Sequence, residues 1–227
     1  MTATRPPAAV VVLISGNGSN LQALIDSQQP LGIRIAAVIS NCPDAFGLQR
    51  ASEAGIPARI LDHRQYPDRT HFDTALTALI DAYDPSLVVL AGFMRILLPT
   101  TVAHYQGRML NIHPSLLPRH KGLHTHRRVL EAGDRVHGAT VHFVTAELDA
   151  GAAVIQARIP VRQDDTEADL QNRVQAQERL IYPKAVHWHA SGRLQLKGNT
   201  AVLDGTPLPP QGVTHQQDGT RLTLSPV

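Results

Sequence analysis

The sequence predicts an α/β fold with a mostly parallel twisted sheet, helices on both faces and an antiparallel C-terminal part. Residues 10–14 form a continuous branched apolar run, the pattern of a strand buried on both faces of a parallel sheet. Over roughly the first 90 residues, such runs alternate with helical patterns, which is typical of right-handed βαβ units. Beyond this point the alternation breaks down, so the remaining strands need not be parallel.

The first half contains short apolar runs separated by helical patterns. Strands are predicted at residues 10–14, 34–39, 58–61 and 87–90. Helices are predicted at residues 19–28, at residues 45–54, and along a face formed by Phe72, Leu76, Leu79, Ile80 and Tyr83. Gly55 ends the second helix, and Asp84-Pro85 ends the third.

In the second half, strands are predicted at residues 109–112, 140–144 and 154–160, and helices at 125–131 and 166–188. After Gly192 we expect a small hairpin and then a Pro/Gln/Gly-rich coil. The chain is expected to form one domain. It divides into a flexible leader (1–9), a βα half (9–100), a second half (101–195) and a hairpin with its tail (196–227).

Composition excludes several classes of protein. The 227 residues are 43% hydrophobic and 4% aromatic, with a net charge of +2, which argues against a nucleic-acid-binding surface. The single cysteine, Cys42, excludes an internal disulfide and a Cys-rich metal site. The apolar stretch at residues 8–14 is too short to span a bilayer. We therefore expect a cytoplasmic protein without membrane or nucleic-acid partners.

The segment Gly-Asn-Gly-Ser-Asn at residues 16–20, here called the glycine loop, follows the first strand and opens a helix. Its free N–H groups suit an anion. Leu21 stands where the dinucleotide fingerprint has its third glycine, and the second strand ends in Ser40-Asn41 rather than an acid. A phosphate monoester therefore fits better than NAD or a nucleoside triphosphate. A simple turn that caps the helix remains an alternative.

Polar and apolar segments also follow two later strands. The apolar segment 92–97 can line a pocket for a flat ring or belong to the ordinary core. In the segment 111–118, Asn111 and His113 are two apart in a strand and so face the same side. An amide beside an imidazole can stabilise an oxyanion and handle a proton. A buried, hydrogen-bonded histidine at a strand end is the alternative.

Asp149 lies between two predicted strands, where it is either a turn residue before a glycine or a partner of His113. A carboxylate close to an imidazole favours the imidazolium. The pairs His124/His126 and His187/His189 are two apart and do not share a helix face, so we expect no metal site. Ser115 does not lie in a Gly-x-Ser-x-Gly elbow, and Cys42 lacks an adjacent base, which disfavours nucleophilic catalysis.

Five segments in order resemble the folate-dependent phosphoribosylglycinamide formyltransferases. They are residues 10–22, 90–97, 110–118, 122–126 and 142–149. The segment Asn-x-His-Pro-Ser-Leu-Leu-Pro is shared by several formyl-folate enzymes, whereas Gly-Asn-Gly-Ser-Asn and Gly-Leu-His-Thr-His are more specific. The likeness covers residues 9–213 or thereabouts. It implies a Rossmann-like formyltransferase fold and transfer of a formyl group from 10-formyltetrahydrofolate to the glycine amine of the ribonucleotide in purine biosynthesis.

The resemblance also implies which residues act. The catalytic set corresponds to Asn111, His113 and Asp149. The substrate-binding set corresponds to Gly18, Ser19 and Asn20 for the phosphate, with Gln175 and Glu178 at the ribose. The folate site corresponds to Arg69, Met94, Arg95, Ile96, Leu97, Asn111, Thr145, Ala146, Glu147, Leu148 and Asp149. Residues 9–100 then form the phosphate-binding half, and residues 101–195 form the catalytic and folate half.

The resemblance implies small-molecule substrates, no metal, and a monomer or homodimer. Three alternatives are another formyl-folate enzyme (formyltetrahydrofolate hydrolase or a methionyl-tRNA formyltransferase-like protein), a non-catalytic phosphosugar-binding module, and a nicotinamide oxidoreductase. The first two enzymes usually carry an additional domain, for which this chain is expected to be too short. In a binding module, Asn111, His113 and Asp149 would have no function. Leu21, which replaces the third glycine of the dinucleotide fingerprint, argues against a nicotinamide oxidoreductase.

Overall fold

The computed structural model describes residues 6–216 and 224–225, and strands and helices alternate along most of this range. The strands are β1 (Ala8–Ile14), β2 (Ile33–Ser40), β3 (Ala58–Ile60), β4 (Leu87–Leu90), β5 (Met109–His113), β6 (Val136–Phe143), β7 (Ala153–Pro160), β8 (Leu194–Lys197), β9 (Thr200–Leu203), β10 (Thr206–Pro207), β11 (Val213–Gln216) and β12 (Leu224–Ser225). The helices are α1 (Ser19–Asp26), α2 (Gln28–Leu31), α3 (Phe46–Glu53), α4 (Arg69–Asp81), α5 (Pro99–His104), α6 (Thr125–Glu131) and α7 (Glu167–Ala190).

Within the described residues, nine strands form one mixed sheet in the order β12-β11-β7-β6-β5-β4-β1-β2-β3. The five neighbouring strands β5, β4, β1, β2 and β3 are parallel to one another, whereas β6 is antiparallel to both of its neighbours. A separate antiparallel sheet contains β8, β9 and β10. The predicted α/β fold with a mostly parallel sheet and an antiparallel C-terminal part is confirmed. The chain leaves β1 toward β2 on one side and returns to β4 on the other, which creates a crevice at the carboxyl ends of β1 and β4.

The core lies on both faces of the sheet, as the apolar run in β1 predicts. Val10, Val12 and Ile14 pack in one buried cluster with residues of α1 and α7. Val11 and Leu13 alternate with them and pack in a second cluster with residues of α4. Because neighbouring strand residues face opposite sides, a strand covered on both faces must be apolar throughout.

Helix α7 is the longest helix in the described range, with 24 residues. Thr166 precedes it and forms a capping box with Asp169, which satisfies N–H groups at the helix start. Farther along, the buried hydroxyl of Tyr182 lies 2.9 Å from the carbonyl oxygens of both Leu90 and Leu110. This contact attaches the helix to β4 and β5. None of the helices in the described part of the chain has the length and apolarity that a membrane-spanning helix needs.

Several predicted boundaries are wrong for local reasons. The leader was expected to reach residue 9, but β1 begins at Ala8, whose N–H donates to the Gly32 carbonyl at 3.0 Å. Residues 1–5 of that leader lie outside the described residues. The strand predicted at 140–144 begins at Val136, because its first residues pair with the end of β7. The helix predicted at 19–28 is divided into α1 and α2 at Ser27.

The tail departs most from the prediction. Residues 213–216, expected to be coil, form β11, which pairs in parallel with β7. Gly212 makes this approach possible, because a Cβ atom there would lie 2.5 Å from the Val154 carbonyl carbon. The expected hairpin after Gly192 is confirmed as β8 and β9, to which β10 adds a third strand. The expected coil at residues 217–223 and 226–227 lies outside the described residues. The short helix α5 was not predicted, although Pro99 in its first turn is a common start signal.

Candidate active site

The structure brings Asn111, His113 and Asp149 together at the carboxyl end of β5. His113 Nδ1 lies 3.4 Å from Asp149 Oδ2, and the two residues are only 6% and 9% exposed. Asn111 is two residues earlier on the strand, and all three residues line the same cavity. The predicted convergence of an amide, an imidazole and a carboxylate therefore occurs in this structure.

Asp149 is held in place by its backbone and by the loop that follows β5. Its φ of 49° lies in the left-handed region, which costs energy for a non-glycine residue and is common at functional sites. Its Oδ2 atom accepts a hydrogen bond of 2.9 Å from the backbone N–H of Gly122. The same carboxylate oxygen thus contacts both the His113 ring and a backbone donor.

The second nitrogen of His113 also faces an oxygen. His113 Nε2 lies 3.0 Å from the carbonyl oxygen of His120. A carbonyl can only accept, so Nε2 carries the proton in this contact. Nδ1 faces the Asp149 carboxylate at 3.4 Å, so both ring nitrogens of His113 face oxygen acceptors.

Buried side chains of β6 and β7 clamp the loop after His113. Thr140 Oγ1 donates to the Ser115 carbonyl at 2.7 Å and accepts from the Leu117 N–H at 3.1 Å. Gln156 Nε2 donates to the Leu117 carbonyl at 2.8 Å. This network fixes the start of the loop that carries His120 and Gly122 to the site.

Sequence reasoning missed a fourth polar residue at this site, His142. It lies directly opposite Asn111 in the antiparallel pairing of β5 with β6. Its Nε2 atom is 3.2 Å from Asn111 Nδ2 and 3.8 Å from Asp149 Oδ1. A search for polar residues at alternating positions of the predicted 140–144 strand would have found it. Asn111, His113, His142 and Asp149 are here called the cavity wall.

The protonation of His142 orients the amide of Asn111. Burial lowers the pKa of His142, so the ring is neutral at physiological pH. Its Nδ1 atom donates to the Phe143 carbonyl at 2.9 Å, which leaves a lone pair on Nε2. That lone pair accepts one N–H of Asn111, so the amide nitrogen, rather than the amide oxygen, points along the cavity wall.

The cavity has a volume of about 460 Å³ and extends from the cavity wall to the segment after β4. Among the residues predicted for a folate site, those that line it are Met94, Arg95, Ile96, Leu97, Asn111, Thr145, Ala146, Leu148 and Asp149. Its lining is largely apolar, and Met94, Ile96 and Leu123 are more than half exposed. Large exposed apolar side chains around a cavity favour a site for a flat organic ligand.

Two other predicted folate residues, Arg69 and Glu147, lie outside the cavity lining. Arg69 Nη2 donates to the Ile96 carbonyl, which ties α4 to the apolar segment. Glu147 is exposed and pairs with Lys121 at 3.0 Å. Within the cavity, Arg95 stacks over Phe72 with its guanidinium carbon 5.0 Å from the ring centre. Its buried Nε atom has no hydrogen-bond partner among the described residues.

The glycine loop forms a second polar region beside the cavity. Gly18, with a φ of 75°, caps α1, and the first turn carries neither a side-chain cap nor an acidic residue. The amides at the start of this helix are therefore available to an anion. Asn20 Nδ2 donates to Glu178 Oε2 at 2.8 Å, and burial raises the pKa of Glu178. Gln175 is one turn earlier on α7 and half-buried.

Two connections join the glycine loop to the cavity. The hydroxyl of Ser15 accepts from the Met94 N–H at 2.8 Å and donates to Asn41 Oδ1 at 2.5 Å. On α7, Gln171 lines the cavity, whereas Glu178 contacts the glycine loop. These two residues are seven apart on one helix face, a rise of about 10 Å.

In the part of the chain that the structure describes, no group of three or more His, Cys, Asp or Glu side chains is arranged to hold a metal ion. His126 and His137 form a pair whose ring nitrogens lie 3.0 Å apart. Burial lowers the pKa of both residues, that of His137 to about 3.

Comparisons with known proteins point to one family. A family model described as formyl transferase matches residues 8–186. The chain is 56% identical to phosphoribosylglycinamide formyltransferase of Escherichia coli over 205 residues, which cover 89% of this chain and 97% of that protein. The corresponding protein of Haemophilus influenzae is 44% identical and is covered to 99%, with 91% of this chain. A solved structure of phosphoribosylglycinamide formyltransferase from Coxiella burnetii is 53% identical, with a TM-score of 0.89, and the match covers 92% of this chain and 99% of that one. The family match includes both the glycine loop and the cavity wall.

Proposed function

The chain belongs to the formyl transferase family, and on that premise we propose that it transfers a formyl group from 10-formyltetrahydrofolate to the glycine amine of phosphoribosylglycinamide in purine biosynthesis. The observation that carries the proposal is the convergence of Asn111, His113 and Asp149 on the wall of one cavity. The two bacterial relatives named phosphoribosylglycinamide formyltransferase are matched over 97% and 99% of their length, which favours this reaction.

The cavity fits a folate in its chemistry. Its apolar segment, Met94 to Leu97, suits the face of a ring, and the unpartnered Nε of Arg95 is a buried donor. We assign Thr145, Ala146, Leu148 and Asp149 to the edge of the same ring because they line the same cavity. Arg69 supports the site through the Ile96 carbonyl, and Glu147 lies at its rim. The bound folate would supply the formyl carbon that the amine attacks. As the bond between that carbon and the folate nitrogen breaks, the proton lost by the amine passes to the leaving nitrogen, and tetrahydrofolate is released.

The cavity wall stabilises the charge that develops on the formyl oxygen. Asn111 spends one amide N–H on His142 and offers the other to that oxygen. His113 offers a second N–H, and the Asp149 carboxylate beside Nδ1 orients the ring. For Nε2 of His113 to reach a substrate oxygen, the His120 carbonyl that it now contacts must move aside.

The glycine loop binds the phosphate of the ribonucleotide. Backbone N–H groups of Gly18, Ser19 and Asn20 are the donors, because they lie at the uncapped start of α1. Glu178 accepts from a ribose hydroxyl through the carboxylate that Asn20 orients, and Gln175 lies one turn away on the same helix. Residues 9–100 therefore provide the phosphate site, whereas residues 101–195 provide the chemistry and the ribose contacts.

A formyl-transfer assay tests the proposal. Purified protein is mixed with 10-formyltetrahydrofolate and phosphoribosylglycinamide, and release of tetrahydrofolate is followed. We expect rapid release only when the amine is present, and the same rate after treatment with a chelator. Equal release without the amine would identify a hydrolase instead, and no release under either condition would contradict the proposal. We also propose that the protein is cytoplasmic and is a monomer or a homodimer. Sedimentation of the active protein would distinguish these two oligomeric states.

A further inference from the structure

Arg50 of α3 reaches across to the glycine loop, although the proposed mechanism gives it no role. Its Nε atom donates to the Asn17 carbonyl at 2.9 Å, and its Nη2 atom lies 3.2 Å from Asn17 Oδ1. A third bond joins Nη1 to Gln22 Oε1 at 3.1 Å. One guanidinium therefore connects α3 with the glycine loop and with α1.

These bonds determine where the amides of the glycine loop point. The Gly16 carbonyl accepts from the Gly47 N–H at 3.0 Å, and the Asn17 carbonyl accepts from Arg50. In a trans peptide the C=O and N–H point in opposite directions. Because both carbonyls face α3, the N–H groups of Asn17 and Gly18 face away from it. They add two oriented donors to those at the start of α1.

The glycine loop packs so closely on α3 that there is no room for a side chain at Gly18 or Gly47 to stabilise the loop conformation. A Cβ atom on Gly18 would lie 2.8 Å from the Gly47 Cα, and one on Gly47 would lie 2.5 Å from a methyl of Ile14. Glycines also allow many backbone conformations. Arg50, by contrast, is itself fixed, since its guanidinium carbon stacks 4.8 Å above the ring of Phe46. It is therefore placed to hold the loop in one conformation.

We propose that Arg50 is a positioning residue for phosphate binding, which aligns the amides of the glycine loop by holding the Asn17 carbonyl and side chain. The inference rests on the proposed function, in which this loop binds the phosphate of the ribonucleotide. In this role the planar geometry of the guanidinium, which allows paired hydrogen bonds, matters rather than its charge. A lysine at this position keeps the charge but cannot form the paired bonds to Asn17.

The test compares Arg50→Gln, Arg50→Lys and the control Arg59→Gln in steady-state kinetics. Arg59 is an exposed arginine of β3 that donates to the neighbouring Ala58 carbonyl. For both Arg50 variants we expect KM for the ribonucleotide to rise about 10-fold, with kcat and KM for the formyl donor changed less than about 3-fold. The control should match the unsubstituted protein. Competition by ribose 5-phosphate and by inorganic phosphate should weaken in parallel for the Arg50 variants.

Each outcome either supports or overturns the positioning role of Arg50. If Arg50→Lys behaves like the unsubstituted protein, charge alone is sufficient and the positioning role is overturned; unchanged KM in Arg50→Gln overturns it as well. If the unsubstituted protein transfers formyl groups but neither phosphate compound competes, the phosphate site itself is wrong, and the role of Arg50 is overturned with it. Should Arg50→Gln lower the melting temperature, Phe46→Leu provides the second variant. It removes only the stacking on the guanidinium and should raise the same KM by a smaller factor.

Discussion

The cavity wall and the glycine loop are built in opposite ways, although they lie in one crevice. The cavity wall consists of side chains from β5, from β6 and from a loop near residue 149, joined by contacts such as the 3.4 Å pair of His113 and Asp149. The glycine loop is one contiguous segment that offers backbone amides, and its shape comes from glycine and from α3. Proton handling needs side chains of defined charge, whereas an anion needs only oriented dipoles. We therefore expect substitutions in the cavity wall to lower kcat and substitutions around the glycine loop to raise KM.

The largest effect is expected from removing either member of the His113–Asp149 pair in the cavity wall. His113→Ala should lower kcat by about 100- to 1000-fold, as is usual when a stabilising donor is lost from an oxyanion site. Asp149→Ala should have a similar effect, because the His113 donor is then no longer oriented. KM for the ribonucleotide should change little, because the glycine loop is intact. Rapid-quench measurement of formyl transfer would test this. Thermal melts should show that both variants fold. Near-normal turnover in either one would contradict the assignment of the cavity wall.

The next effect concerns His142, whose Nε2 atom accepts from the amide of Asn111. His142→Phe should lower kcat about 10-fold, because the Asn111 amide loses the acceptor that orients it. In the Asn111→Ala background the same substitution should have almost no further effect, since the two residues act as one unit. Additive losses in this double-mutant cycle would show that His142 acts independently of Asn111.

At the other end of the crevice, Glu178→Gln should mainly affect binding. The amide can still accept from Asn20, but it offers a ribose hydroxyl a weaker acceptor than a carboxylate does. We expect KM for the ribonucleotide to rise about 5- to 10-fold with kcat nearly unchanged. Glu53→Gln, at an exposed position where the carboxylate contacts Gln49, is the matched control. A large loss of kcat would break the proposed separation between the two regions.

The remaining effect is on stability rather than on catalysis, and it is a dependence on pH that arises at His137 of β6, the strand that also carries His142. Burial lowers the pKa of His137 to about 3, whereas an unfolded histidine titrates near 6.5. Between these values the unfolded chain binds more protons, so the free energy of unfolding falls as the pH falls below 6.5. One proton corresponds to about 1.4 kcal/mol per pH unit. Urea unfolding at several pH values gives the free energy of unfolding as a function of pH. This free energy should change less steeply with pH in His137→Gln than in the unsubstituted protein, and an equal pH dependence would contradict the prediction.

The same contrast explains which features could be predicted from the sequence. The glycine loop was recognisable because its residues are adjacent, and Asn111 and His113 were paired because strand residues alternate. His142 was missed because its position opposite Asn111 depends on the register of two strands. That Asp149 meets His113 followed only from the resemblance, since the two residues are 36 positions apart. Strand β11 was missed because its short polar sequence becomes a strand only through pairing with β7.

Helix α7 has a consequence for the choice of substrate. Its hydroxyl contact with β4 and β5 holds it firmly, and its face runs from Gln171 in the cavity to Glu178 at the glycine loop. The helix fixes the distance between the two sites. A ligand anchored by its phosphate at the glycine loop therefore places its far end at a defined distance from that loop. Amines on a shorter or longer spacer than the natural one would stop short of the formyl carbon or overshoot it. If the proposed phosphate site is right, we therefore expect the enzyme to discriminate between amine substrates by length as well as by chemical recognition.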